Sequence, residues 1–142
     1  MTDVNRQKDL VRRFVEACNT RDYAALREVI SADFERHCPA TPDIAVRSAE
    51  DFVAFQEAEA AIFPDNHGQL DELVAEGDRV AFWGTYTGTQ HGPMGPFPPS
   101  GRRLSCEFAG VFRTRGDRIV RVQLTWDHVG VLVQLGHMTP PA

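Results

Sequence analysis

From Asp3 to Asn19 the apolar residues Leu10, Val11, Phe14, Val15 and Cys18 recur at i, i+1, i+4, i+5 and i+8, while Lys8, Arg12, Arg13 and Glu16 fill the other side. A stripe of that period predicts an amphipathic helix. After the polar break Asn19-Thr20-Arg21, Asp22 is placed to cap a short second helix whose Leu26, Val29 and Ile30 face inward, ending near Ser31. A brief strand is expected over Asp33 to His37, before a segment broken by Pro39 and Pro42. Ser48, with Glu50 and Asp51 behind it, opens a third helix through Phe63, acidic residues in the first turn suiting the helix dipole. Its buried face is drawn from Phe52, Phe55, Ala58, Ile62 and Phe63, and Pro64-Asp65-Asn66 supplies turn chemistry at its end.

From His67 onward the pattern changes to strands punctuated by turns. Strands are expected at 69–75, 79–90, 102–114 and 118–126, the first pair joined by Glu76-Gly77-Asp78 and the last by Arg115-Gly116-Asp117. Short Gly-Asp turns imply antiparallel hairpins. Between Gly92 and Gly101 lie four prolines and three glycines, a composition that cannot continue a ladder and suits a rim over an opening. A last apolar run, Val129 to Leu135, reads as a short terminal helix stopped by Gly136. The order α-α-β-α-β-β-β-β then a helix describes one α+β domain over 1–142: three helices from the first half packed on one side of a strongly curved antiparallel sheet, with a pocket between them.

Composition narrows the function. Of 142 residues, 42% are hydrophobic and 25% charged, as in ordinary globular domains of one core. The net charge of -5 leaves only the pairs Arg12-Arg13 and Arg102-Arg103 as cationic points, which argues against nucleic acid as a partner. No stretch of about 18 apolar residues spans a bilayer, and the polar start from Met1 to Asp9 does not read as an export signal, so a cytoplasmic protein without membrane partners is expected. Cys18, Cys38 and Cys106 are odd in number and far apart, which suits reduced thiols. They and the five histidines lack the close spacing of a structural zinc site, and no cofactor motif is present; neither metal nor cofactor is expected.

Three segments stand out. The first is Phe63-Pro64-Asp65. The second runs from Glu76-Gly77-Asp78-Arg79-Val80-Ala81 through Thr87-Gly88-Thr89-Gln90-His91-Gly92 to Pro98-Pro99-Ser100-Gly101-Arg102. The third is Trp126-Asp127 followed by Leu132-Val133-Gln134-Leu135-Gly136. Taken in this order, they resemble the SnoaL-like polyketide cyclases of the nuclear transport factor 2-like superfamily. The resemblance implies a conical α+β barrel with a deep pocket, a homodimer through the sheet, and cofactor-free closure of a polyketide ester ring by intramolecular aldol condensation. It also implies a catalytic aspartate in the last strand, matching Asp127. Where that family often carries glutamate and tryptophan upstream, this chain has Arg121 and Gln123, which implies a changed pocket wall and a changed substrate.

The residues themselves leave alternatives open. Asp127 alternates with Thr125, Gln123 and Arg121, opposite Trp126, Leu124 and Val122, so it is either an acid/base on a polar inner wall or the N-cap of the last helix. His37 is either a pocket group bonding a substrate carbonyl or a rim histidine satisfied by backbone. His91 is a lid residue or a surface one, and Arg113 either steadies an enolate oxygen or pairs with Glu107. Trp83, Met94, Phe97, Phe108 and Phe112, with Gln123, are candidates to hold a flat apolar or aromatic ligand, or are plain core and interface. Three functions follow: a cyclase or isomerase, a cofactor-free oxygenation partner, or a non-catalytic dimeric binding module.

Overall fold

In the computed structural model, residues 3–141 are described. The elements are α1 (Val4–Thr20), α2 (Tyr23–Val29), β1 (Ile30–His37), α3 (Ala49–Ile62), β2 (His67–Glu76), β3 (Arg79–Thr89), β4 (Arg103–Arg115), β5 (Arg118–Trp126) and α4 (His128–Gln134). Each helix starts where its sequence provides an acceptor for free backbone N–H groups. Asp3, Asp22, Ser48 and Asp127 are the N-caps, and all four side chains accept from the following turn. Helix α1 stops at Arg21, whose left-handed φ of 55° turns the chain back toward α2.

The five strands form one sheet in the order β1-β5-β4-β3-β2. β2 to β5 are antiparallel neighbours, but β1 pairs with β5 in parallel, Arg36 opposite Val122 and His37 opposite Gln123, so the sheet is mixed where an antiparallel one was expected. The reason is connectivity: β1 precedes α3 and reaches the far edge by a long crossover, and a long crossover permits parallel pairing. The register shifts within the β1–β5, β2–β3 and β4–β5 pairs, and such irregularities sharpen the bend of a sheet. Gly110 lets β4 and β5 close up at the bend, since a Cβ there would lie 2.1 Å from the Gln123 carbonyl oxygen.

Helices α1 and α3 pack against the inner face of this sheet through a stack of phenylalanines. Phe14, Phe34, Phe52, Phe82 and Phe112 touch as rings, at centroid distances from 5.0 to 6.0 Å. Leu10, Val11 and Ala17 complete the buried stripe of α1. A second cluster, Phe63, Leu104, Val131 and Leu135, seats α4 across the other end. The aromatic stack fills one end of the layer and α4 covers the other, and the space between them stays open.

Candidate active site

That space is a cavity of about 500 Å³, a volume suited to a small organic ligand. Its wall is mostly apolar, with Phe52, Phe55, Phe82, Phe108, Phe112, Leu124 and Trp126 prominent in it. A few polar groups are set into that wall, each by the periodicity of its own element.

Arg36 comes from β1. The alternation that buries Phe34 and Cys38 carries it inward too, leaving it 6% exposed. Its guanidinium lies 4.2 Å from the centroid of the Phe55 ring and 5.9 Å from that of Trp126, a cation between aromatic faces. Nη1 is buried and has no hydrogen-bond partner among the described residues. Burial pushes the guanidinium pKa down, opposed by Cys38 and Glu59, yet arginine stays protonated in proteins.

Glu59 comes from α3, one turn after Phe55 and one before Ile62 and Phe63, on the helix's apolar stripe. Tyr86, on the inner face of β3, donates its hydroxyl to Glu59 Oε2 at 2.9 Å. Burial raises the Glu59 pKa above its ordinary value; the Tyr86 hydrogen bond and the Arg36 charge pull the other way without prevailing. The Tyr86 hydroxyl is pushed up in turn, by burial and by Glu59, and remains a donor. At the start of α4, His128 lines the cavity, and its Nδ1 accepts from the Trp126 indole N–H at 3.2 Å. Cys18 and Cys106 also line the wall as free thiols, pushed by burial to about 12 and about 11, Cys106 with help from the Asp127 charge. Among the described residues no three His, Cys, Asp or Glu side chains gather as a metal ion would require.

The segment between Gln90 and Arg102 borders the cavity with Met94, Gly95, Pro96 and Phe97. It is tied down rather than loose. Gln90, fully buried, donates through Nε2 to the carbonyls of Gly92 (3.1 Å), Phe97 (3.4 Å) and Pro98 (3.1 Å). Its Oε1 accepts from Ser100 Oγ at 3.2 Å and meets His137 Nε2 at 2.6 Å. At Gly92 a Cβ would lie 2.3 Å from the Ala61 carbonyl oxygen, so only glycine lets the segment press against α3.

The sequence-predicted residues divide. Met94, Phe97, Phe108 and Phe112 line the cavity. Asp127, His37, Arg113, His91, Trp83 and Gln123 do not. On β5 the expected alternation is present with its faces exchanged: Val122, Leu124 and Trp126 point in, and Gln123 and Thr125 point out to solvent. Half-charged faces belong outside where a sheet has one wet side, and apolar faces inside. Asp127 follows the end of β5, is exposed, and accepts from Gly130 N at 2.9 Å as the cap of α4. His37 is exposed and meets Glu35 at 3.2 Å. Arg113 and Trp83 lie on the outer face of the sheet, and among the described residues Arg113 forms no ion pair with Glu107. His91 is exposed beside Asp65, its backbone N–H bonded to the Ile62 carbonyl. Reasoning from sequence missed Arg36, Glu59, Tyr86 and His128, although Glu59 on the Phe55–Ile62 stripe was a readable signal.

A protein from Burkholderia pseudomallei described as nuclear transport factor 2-like has the same fold, at a TM-score of 0.77 and 18% identity over 96% of this chain and 99% of that one. The chain belongs to the SnoaL-like polyketide cyclase family, whose sequence profile it matches over residues 8–135. Among solved structures it is similar to IdmH from Streptomyces antibioticus, described as a candidate polyketide cyclase, at 31% identity and a TM-score of 0.80 over 91% of this chain and 97% of that one. It is similar to TsrD from Streptomyces laurentii at 28% identity and a TM-score of 0.85, over 97% and 100% of the two chains. It is also similar to AclR from Streptomyces galilaeus, described as a candidate hydroxylase, at 27% identity and a TM-score of 0.81, over 97% and 89%. A search of curated proteins returned no relative. No described helix is long and apolar enough to cross a membrane.

Proposed function

We propose that the protein closes a ring in a polyketide-like molecule by cofactor-free intramolecular aldol chemistry, with Glu59 as the acid/base and Arg36 as the group that stabilises the oxygen. The observation that carries this reading is the half-buried carboxylate of Glu59, set in an apolar wall and held by Tyr86. A carboxylate with a raised pKa accepts a proton from a CH2 group acidified by two flanking carbonyls more readily than an ordinary one. The enolate carbon then attacks a second carbonyl of the same chain, and Glu59 returns the proton to the new alkoxide, so mass is unchanged. Negative charge builds on oxygen in both steps, and a preorganised guanidinium in an apolar wall stabilises it. The apolar wall holds the chain folded, which raises the chance of one closure over others.

Asp127 is assigned to the cap of α4 instead of the acid/base role, because its carboxylate already accepts from Gly130 and faces solvent. The test is turnover of polyketide methyl esters by the purified protein without added cofactor, followed by absorbance and mass. Wild type should give an isomeric product, Glu59→Gln should lose it, and Asp127→Asn should keep it. Loss in Asp127→Asn with retention in Glu59→Gln would overturn the assignment. The similarity to AclR favours one second reading, oxygenation of an electron-rich ring in the same cavity, for which product heavier by oxygen and uptake of O2 would be the sign.

Self-association through the outer face of the sheet belongs to the same proposal. Val74, Trp83 and Val111 stand there 66%, 46% and 40% exposed, in adjacent strands, more apolar surface than an isolated sheet face usually shows water.

A further inference from the structure

Arg36 brings a full positive charge into a mostly apolar wall, and neither carboxylate of that wall, Asp43 or Glu59, forms an ion pair with it. Among the described residues no carboxylate lies within ion-pairing distance of it. Cys38 is the first group that supports its charge and Glu59 the second, and Glu59 is itself driven toward its neutral form by burial. Tyr86 is a neutral donor, and the thiols of Cys18 and Cys106 are held protonated. Nη1 is buried with its donors unused, while the faces of the guanidinium are occupied by Phe55 and Trp126. A buried charge without a partner is costly, and the group that relieves it must arrive with the ligand.

We infer that the cavity takes its substrate as an anion: a flat, largely apolar molecule carrying one ionised oxygen, carboxylate or stabilised enolate or phenolate, seated on the Arg36 guanidinium with its ring system beside Phe55 and Trp126. This rests on the cavity being the substrate site and changes the expected substrate from a neutral ester to an acid or an acidic dicarbonyl. A guanidinium suits both, because it offers donors in a plane to one oxygen or to two. A neutral ester would fill the same space and leave the charge uncompensated.

The experiment is calorimetric titration of the purified full chain near pH 7.5 with anthraquinone-2-carboxylate and with its methyl ester, for wild type, Arg36→Met and Arg36→Lys. Wild type should bind the carboxylate about tenfold or more tightly than the ester, the range a charge-assisted hydrogen bond supplies. In Arg36→Met that preference should vanish while the ester still binds, which shows that the cavity has kept its shape. Arg36→Lys should keep part of it. Absorbance of bound 2-hydroxyanthraquinone separates the two anions: stabilised phenolate appears as the phenolate band at a pH below the free dye's midpoint in wild type and not in Arg36→Met. The carboxylate preference without the phenolate band assigns the seat to carboxylates.

Equal or tighter binding of the ester by wild type overturns the inference, as does a carboxylate preference that survives in Arg36→Met, or no binding of any of these probes. Because the assay needs no turnover, a cavity that prefers acids but closes no ring counts against the aldol reading alone. A cavity that cyclises neutral esters without acid preference counts against the anion seat alone.

Discussion

Glu59→Gln is expected to alter rate and stability in opposite directions. Loss of the acid/base should lower turnover by about 10²- to 10⁴-fold. For stability, the folded-state pKa of Glu59 lies above its ordinary value of 4.5, so below about pH 4 the carboxyl is neutral in both states and costs nothing as a charge. As pH rises through the folded pKa, the wild type must carry a half-buried carboxylate and loses stability. The melting temperature of Glu59→Gln should therefore match wild type near pH 4 and exceed it near pH 8, which calorimetry at the two pH values would show. Tyr86→Phe removes the hydrogen bond that lowers the Glu59 pKa, so the acidic limb of the rate profile should move to higher pH. Asp127→Asn should leave stability nearly unchanged, because asparagine caps as well as aspartate, whereas Asp127→Ala should cost about 0.5–2 kcal/mol in denaturant unfolding.

At the scale of elements, one side chain, Gln90, ties together much of the segment from Gly92 to Ser100. Gln90→Ala should cost roughly 1–3 kcal/mol through the buried carbonyls it leaves unmatched, and amide exchange at Gly92 and Phe97 should speed up more than in the β3–β4 ladder. Elements were the most legible part of the sequence. Caps at Asp22 and Ser48, the Gly-Asp turns and the 118–126 strand are local signals, and local chemistry sets where a helix starts or a hairpin turns. Period two likewise told which residues of β5 share a face, but not which face the helices would cover, and the inner wall was assigned to the wrong one. Arg36 was hidden for a related reason: arginine is almost always exposed, so its place between Phe34 and Cys38 carries little weight until the parallel pairing with β5 closes over it. The pairing of β1 with β5 has no local signature at all.

For the molecule as a whole, the outer sheet face should decide the oligomeric state. Trp83→Arg places a charge in the centre of the exposed apolar patch and should shift sedimentation toward the monomer without changing ligand binding, since Trp83 does not line the cavity. The mixed sheet has a further consequence for how the chain reaches this state. Hairpins β2–β3, β3–β4 and β4–β5 join neighbours in sequence, but Arg36 meets Val122 only when an early strand finds a late one, and such distant pairings are slow to form. The cationic seat and its Trp126 wall therefore come into being together, at the closing of that last ladder. In refolding from denaturant, sheet structure should appear before any capacity to bind an aromatic acid, and the lag between the two would time the moment at which the protein becomes hollow.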